Sequence, residues 1–225
     1  MSLFNEPIFH WMAQYAYQPG LVYLFVIGMM IASGFGFPLP EEVTILTVGV
    51  IAFMGANPEL FPPPDVNAKV VNGYEAAAIT TIAVIFTDCL VFMLGRIFGR
   101  RLIQLPRFKM VFNEKVMARI NTWVKRYGIF AAFIFRFTPG IRFPAHIAFG
   151  MLAFPVWQFI LVDSIAACVS VPTQILLVYH YGEPILIKLQ QFKYVFLAIL
   201  LVGALVLLFK QVISRFFLKK KAANN

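Results

Sequence analysis

Charge is scarce in this sequence. Asp, Glu, Lys and Arg together make up 13% of its 225 residues, where a soluble domain carries about a quarter. The two cysteines, Cys89 and Cys168, both lie inside apolar segments. They read as small core residues, which leaves no disulfide framework and no thiolate metal cluster. The histidines are three, His10, His146 and His180, and they are far apart in the chain. There is no metal-ligand cluster, no glycine-rich nucleotide loop, and no Ser or His in a recognisable nucleophile–base pairing. These absences argue against enzymatic chemistry, and neither a metal nor a cofactor is expected.

What the chain has instead is apolar sequence. Hydrophobic residues reach 60%, including 25 phenylalanines, and the mean hydropathy is +0.80. They come in blocks: Leu21–Phe37, Val43–Ala56, Ala76–Leu94, Phe143–Val162, Ile165–Tyr181 and Tyr194–Phe209. About 20 apolar residues in a helix cross the hydrocarbon of a bilayer, so the pattern is that of a polytopic membrane protein. A soluble domain, a disordered chain and a disulfide scaffold are excluded. The net charge of +9 is unevenly spread. From Arg96 to Arg142 there are eleven basic residues and one acid, Glu114, and Lys219–Lys221 lie near the C-terminus. A basic balance can mean nucleic acid, but these charges flank apolar segments and no basic domain holds a groove. The positive-inside rule accounts for them, placing the stretch 96–126 and the C-terminus in the cytoplasm. The N-terminus lacks a basic region and a small-residue cleavage site, so no cleaved signal peptide is expected.

Along the chain, residues 1–20 mix aromatic and polar groups and read as an interfacial segment. The pieces Leu21–Phe37 and Val43–Ala56 are each short for a crossing of about 30 Å, and they flank the break Phe37-Pro38-Leu39-Pro40-Glu41-Glu42. Asn57–Gly73 is a loop by its prolines and its Asn-Gly pair. Tyr74–Gly95 is a full crossing that carries Asp88. Within the basic stretch, Asn113–Lys125 is expected to form a surface helix. Tyr127–Phe137 is again short and ends in Arg136-Phe137-Thr138-Pro139-Gly140-Ile141-Arg142, after which apolar sequence resumes. The expected fold is therefore all-α and polytopic, with two inverted-repeat halves. Residues 21–95 form the first half, with a re-entrant hairpin around 37–42, and residues 127–182 the second, with a hairpin around 136–142. Each hairpin is followed by a transmembrane helix, and 194–218 is an additional C-terminal transmembrane helix. Paired interrupted segments of this kind point to a transporter's binding site.

Arg136 and Arg142 are the sharpest feature. A charge at membrane depth costs about 2.5–3.5 kcal/mol on insertion scales. Thr138 as N-cap with Pro139 at the first helical position would aim a helix N-terminus inward, and Arg142 in its first turn would oppose the helix dipole. An anion held by the N–H groups and both guanidinium forks resolves that conflict, and phosphate fits. The plain alternative is a positive-inside loop at the interface. Glu41 and Glu42 fall in the first turn after Pro40, where the dipole favours acids, and a half-buried carboxylate there can also carry a proton. Asp88, among Ile85, Phe86, Cys89 and Leu90, either marks a pathway or makes a helix–helix hydrogen bond. Asp163, nearer a segment end, reads as structural, and His146 as a packing or hydrogen-bonding residue. Pro38, Pro40, Pro139 and Gly140 are the residues that break the hairpins.

The run Phe133-Ile134-Phe135-Arg136-Phe137-Thr138-Pro139-Gly140-Ile141-Arg142, continuing to Gly150, resembles the signature of the DedA family, also called SNARE-associated or VTT-domain proteins. Pro38-Leu39-Pro40-Glu41-Glu42 fits, as does Asp88 followed by Gly95-Arg96-Ile97-Phe98-Gly99-Arg100. The resemblance covers roughly residues 20–182. It implies a multi-pass protein of the bacterial inner membrane that moves lipid, with polyprenyl phosphate (undecaprenyl phosphate) or a phospholipid as substrate. Arg136 and Arg142 match the paired arginines that would hold phosphate, and Glu42 matches the acidic position of the first hairpin. Proton or cation coupling would then fall to Glu42 with Glu41 or Asp88. Where the family often has Pro-Gly-Glu, this chain has Pro40-Glu41-Glu42, so either acid is a candidate. The expected partners are the lipid substrate and the membrane, with no nucleic acid, and self-association into a homo-oligomer is left open. Competing readings are a gradient-independent scramblase and a membrane scaffold acting through Arg100, Arg101, Arg107 and Lys109.

Overall fold

A computed structural model describes residues 7–34, 41–65, 67–104, 114–138, 142–182 and 184. The breaking residues Pro38, Pro40, Pro139 and Gly140, and the expected C-terminal helix 194–218, lie outside the described residues. What is described is helical, with no strand among the described residues. The helices are α1 (Pro7–Tyr15), α2 (Pro19–Gly34), α3 (Glu41–Ala56), α4 (Gly73–Gln104), α5 (Glu114–Tyr127), α6 (Phe130–Arg136), α7 (Arg142–Met151) and α8 (Val156–Gly182).

Two of them are long and apolar enough to cross a membrane, Gly73–Gly99 within α4 and Val156–Gly182, each of 27 residues. At 1.5 Å per residue each is about 40 Å long. They run antiparallel side by side: Tyr74 Oη lies 3.2 Å from His180 Nε2 at one end, and Phe92 stacks on Phe159 at 4.3 Å further along. Ile82, Phe86, Met93 and Ile97 of α4 and Trp157, Leu161, Ile165 and Val169 of α8 are exposed. In water that apolar surface would be an aggregation site; on a membrane protein it faces lipid tails.

The other apolar helices are short. α2 and α3 have 16 residues each, about 24 Å. α2 keeps pace with α4: Tyr23 donates a hydrogen bond to Glu75, and Gly34 packs against Thr87. α3 runs the opposite way, from Glu41 beside Arg142 past Gly49 against Ile175 and Val178 to Gly55, which packs on the Ala16 carbonyl and Val71. Likewise α7 follows α4, its Arg142 beside Asp88 and its Met151 beside Gly99. The end of α2, the start of α3, the end of α6 and the start of α7 therefore all lie near the level of Asp88.

Small residues allow the tightest contact. A Cβ on Gly95 would fall on the Ile147 carbonyl, one on Gly150 would fall on the Phe92 carbonyl, and Gly99 sits against Met151. Gly95-xxx-Gly99 is the small-xxx-small spacing that lets membrane helices approach backbone to backbone. Below this contact α5 covers the core with Ile120 and Val124 and exposes Lys115, Arg119, Lys125 and Arg126, as a surface helix over 113–125 predicts. Trp123 reaches Phe135, with ring centroids 5.7 Å apart.

Two local details differ from the sequence expectation. α7 ends at Met151 in a Schellman turn: the Phe154 N–H donates to the Phe149 carbonyl at 3.3 Å, and the Ala153 N–H to the Gly150 carbonyl at 3.1 Å. Ala153 takes the left-handed position at φ 54°, and Pro155 follows, a residue that cannot continue a helix. The apolar run 143–162 is thus divided at 152–155, and Asp163 lies well inside α8. At Thr138, expected as the N-cap of the next helix, the hydroxyl donates back to the Ile134 carbonyl at 3.1 Å. The Pro-rich loop has a structural role: the Tyr17 hydroxyl donates to the Phe61 carbonyl at 2.5 Å, and the Val71 N–H to the Ala16 carbonyl at 2.8 Å. Asn72 caps α4, its Oδ1 accepting from the Tyr74 N–H at 2.8 Å.

Candidate functional site

Asp88 of α4 and Asp163 of α8, the buried acids of the two long helices, meet the arginines of α6 and α7 at one place. Arg136 is the last residue of α6, where a cation suits the helix dipole, and only 8% of its surface is exposed. Its Nη1 donates to Asp88 Oδ2 at 2.8 Å and to Asp163 Oδ1 at 3.0 Å. Its Nε donates to Ser170 Oγ at 3.1 Å. One guanidinium thereby ties α6 to both long helices. Arg142 opens α7, the position the dipole disfavours. Carboxylates offset that: Nη2 donates to Asp88 Oδ1 at 2.7 Å and Oδ2 at 2.5 Å, and Nη1 donates to Glu41 Oε2. Glu41 is the first residue of α3, where the dipole favours an acid. Both arginines therefore lie at helix ends, Arg136 closing α6 and Arg142 opening α7.

His146 lies one turn after Arg142 on the same face of α7. Its Nδ1 is 3.2 Å from Asp88 Oδ1, and its Nε2 is 3.6 Å from Asp163 Oδ1. Phe159 closes the ring edge-on at 5.2 Å. The side chains of Asp88, His146 and Asp163 bring possible metal-ligand atoms within 4.8 Å of one another. Arg136 Nη1 bonds to both of those carboxylates, so a fixed positive charge stands beside the place a cation would take. The arrangement suits protons and anions better than a metal ion.

The network is not saturated. Arg142 Nε, Glu41 Oε1, His146 Nε2 and Asp163 Oδ2 are buried without a hydrogen-bond partner among the described residues. Buried polar atoms are seldom left so. This spare donor and acceptor capacity sits around the two arginines and is open to a ligand or to water.

Of the residues singled out in the sequence, the structure unites Arg136, Arg142, Asp88 and Glu41. Glu42 is exposed and does not enter the network, so the acid that reaches the arginines is Glu41. Sequence reasoning undervalued Asp163 and His146 and missed Ser170. The signals were present: His146 four residues after Arg142, and Ser170 seven after Asp163, each at a spacing that shares a helix face.

Two long lipid-facing helices, with a buried polyionic cluster between them and the ends of α3, α6 and α7, are the features of an integral membrane protein, and charges kept inside a membrane are a candidate functional site. The VTT domain family matches residues 39–181, and the chain belongs to that family, the DedA proteins of the resemblance. It is 30% identical over 156 residues to an "Uncharacterized membrane protein" of Haemophilus influenzae, covering 69% of this chain and 68% of the relative. It is 25% identical over 120 residues to the "Uncharacterized membrane protein YbfM" of Bacillus subtilis, covering 53% of this chain and 65% of the relative. No solved structure matches it.

Proposed function

We propose that this protein is a lipid transporter of the bacterial inner membrane that moves a phosphate-bearing lipid, undecaprenyl phosphate in the first instance, coupled to a proton or cation gradient. It acts by binding and release, without enzymatic chemistry. In this reading α2–α3 and α6–α7 are re-entrant hairpins of two inverted halves that enter from opposite faces and meet at Asp88. The stretch 96–126 and the C-terminus face the cytoplasm.

One observation carries the reading: Arg136 and Arg142, at the end of α6 and the start of α7, are held by the carboxylates of Glu41, Asp88 and Asp163 from three different helices. Such a network is a closed site in which internal anions stand in for an external one. A phosphate monoester offers the same oxygen geometry to a guanidinium fork as a carboxylate does. Entry of the headgroup would transfer the forks from carboxylates to phosphate, and the N–H groups at the starts of α3 and α7 would add donors. The released acids, no longer paired, would take up protons, which links headgroup binding to proton movement. The polyprenyl tail stays in the bilayer throughout.

The test is lipid movement in proteoliposomes, comparing undecaprenyl phosphate with phosphatidylethanolamine, with and without a pH gradient. Gradient-sensitive movement of the polyprenyl phosphate, lost in Arg142→Gln, supports the reading. Equal movement of both lipids without a gradient would make the protein a scramblase, and no movement of either would favour a scaffold.

A further inference from the structure

Among the described residues, the buried network holds more acid than base. Glu41, Asp88 and Asp163 contribute three carboxylates, while Arg136 and Arg142 contribute two guanidiniums. A net charge in so enclosed a place is costly, and the usual relief is to bind or release a proton. One added proton closes the count.

The geometry marks where that proton sits. His146 is 1% exposed, and each of its ring nitrogens faces a different carboxylate, Nδ1 at 3.2 Å from Asp88 and Nε2 at 3.6 Å from Asp163. A neutral imidazole has one N–H and one lone pair. Either neutral tautomer would therefore aim a lone pair at a carboxylate oxygen, and only the imidazolium offers an N–H to both. His146 Nε2 and Asp163 Oδ2 are also both without a hydrogen-bond partner among the described residues, so the pair can accommodate a proton on either side.

The surrounding charges agree. From α4 the ring meets Asp88, and from α8 Asp163 with the Phe159 ring. Arg136 of α6 acts on it through both of those acids. Arg142 of its own helix acts through Asp88, with Glu41 of α3 beyond it. The described cations of α5, Lys115, Arg119, Lys125 and Arg126, are exposed. α2 carries no charged residue.

We infer that His146 is the proton-binding residue of this network, held as an imidazolium between Asp88 and Asp163 while both arginines are paired, and that the pair His146–Asp163 carries the coupling proton. The second half of the inference rests on the transport reading; the first does not.

The experiment is nitrogen-15 NMR of histidine-labelled protein in lipid nanodiscs at neutral pH, with the His146 signals assigned by their loss in His146→Gln. The expected spectrum has both ring nitrogens protonated in the wild type. Asp163→Asn removes the excess acid and should convert His146 to a neutral tautomer. Glu41→Gln makes the same charge change without touching the ring and serves if Asp163→Asn does not fold. A neutral imidazole in the wild type, or an imidazolium that persists in Glu41→Gln, overturns the assignment. The spectrum is read with no substrate present, so its outcome is independent of transport. In proteoliposomes, movement of polyprenyl phosphate by His146→Gln should not respond to a pH gradient; a retained response overturns the coupling role.

Discussion

Removing the guanidinium of Arg136 should destabilise the protein for a reason that a second substitution can reverse. The side chain is almost wholly buried and neutralises Asp88 and Asp163 at 2.8 and 3.0 Å. Deleting one member of a buried ion pair costs about 3–5 kcal/mol, mostly because the partner charge is left uncompensated. Arg136→Ala is expected to lose that much. Asp163→Asn alone leaves one excess acid fewer and a partner amide that still accepts a hydrogen bond, so it should cost clearly less. The double variant restores the charge balance, and the cycle should show a coupling energy of about 2–3 kcal/mol, the upper range for directly contacting residues. The assay is reversible unfolding in mixed micelles, followed by far-ultraviolet circular dichroism, on the four proteins of the cycle. If the single effects add to within about 0.5 kcal/mol, as for sites that do not interact, the network does not hold the helices as described. A transport test on Arg136→Ala alone would confuse lost folding with lost binding, so Arg142, at the edge of the cluster, is the better site for a functional variant.

Other expectations follow from the same geometry. Gly95→Ala should lower the thermal midpoint measurably, because its Cβ would meet the Ile147 carbonyl, a backbone atom with no rotamer to move, and overpacking costs about 1–3 kcal/mol. Gly28→Ala, with nothing within 4 Å, should instead stabilise α2 by about 0.5–1 kcal/mol; the reverse order of midpoints would refute the packing. Ala153→Gly should raise stability by up to about 1 kcal/mol, since alanine is strained at φ 54°, and a lower midpoint would contradict the Schellman turn. In transport assays, Glu41→Gln should change the pH profile while Glu42→Gln leaves it unaltered. A shifted profile in Glu42→Gln alone would return the role to the exposed acid.

Much of this was legible in the sequence because membranes impose strong rules. The blocks of apolar residues, the basic stretch 96–126 and the Pro-rich breaks follow from the absence of water in the bilayer, and α4 falls where they place it. Arg136, Arg142 and Asp88 stood out because a charge in such surroundings needs a reason. Their pairing with one another did not, since Asp88 is 48 residues from Arg136 and 54 from Arg142, and no local spacing encodes that contact. Asp163 read as lying near a segment end because the apolar run 143–162 has no obvious stop. The stop is Ala153-Phe154-Pro155, and the left-handed residue is alanine where glycine is the usual signal. Glu41 and Glu42 are chemically equivalent as neighbours in sequence. Only the direction in which each leaves the helix start separates the one that meets Arg142 from the one that faces outward.

The account turns on phosphate and carboxylate competing for the same two guanidiniums. Solid-state NMR distance measurement between the lipid phosphorus-31 and arginine side-chain nitrogen-15, on protein in bilayers containing undecaprenyl phosphate, tests that directly. The account predicts a close contact from the lipid phosphorus to arginine nitrogens, within about 4 Å as for a charge-assisted hydrogen bond, that disappears in Arg142→Gln. Phosphorus that stays remote from every arginine while the lipid is transported would contradict it.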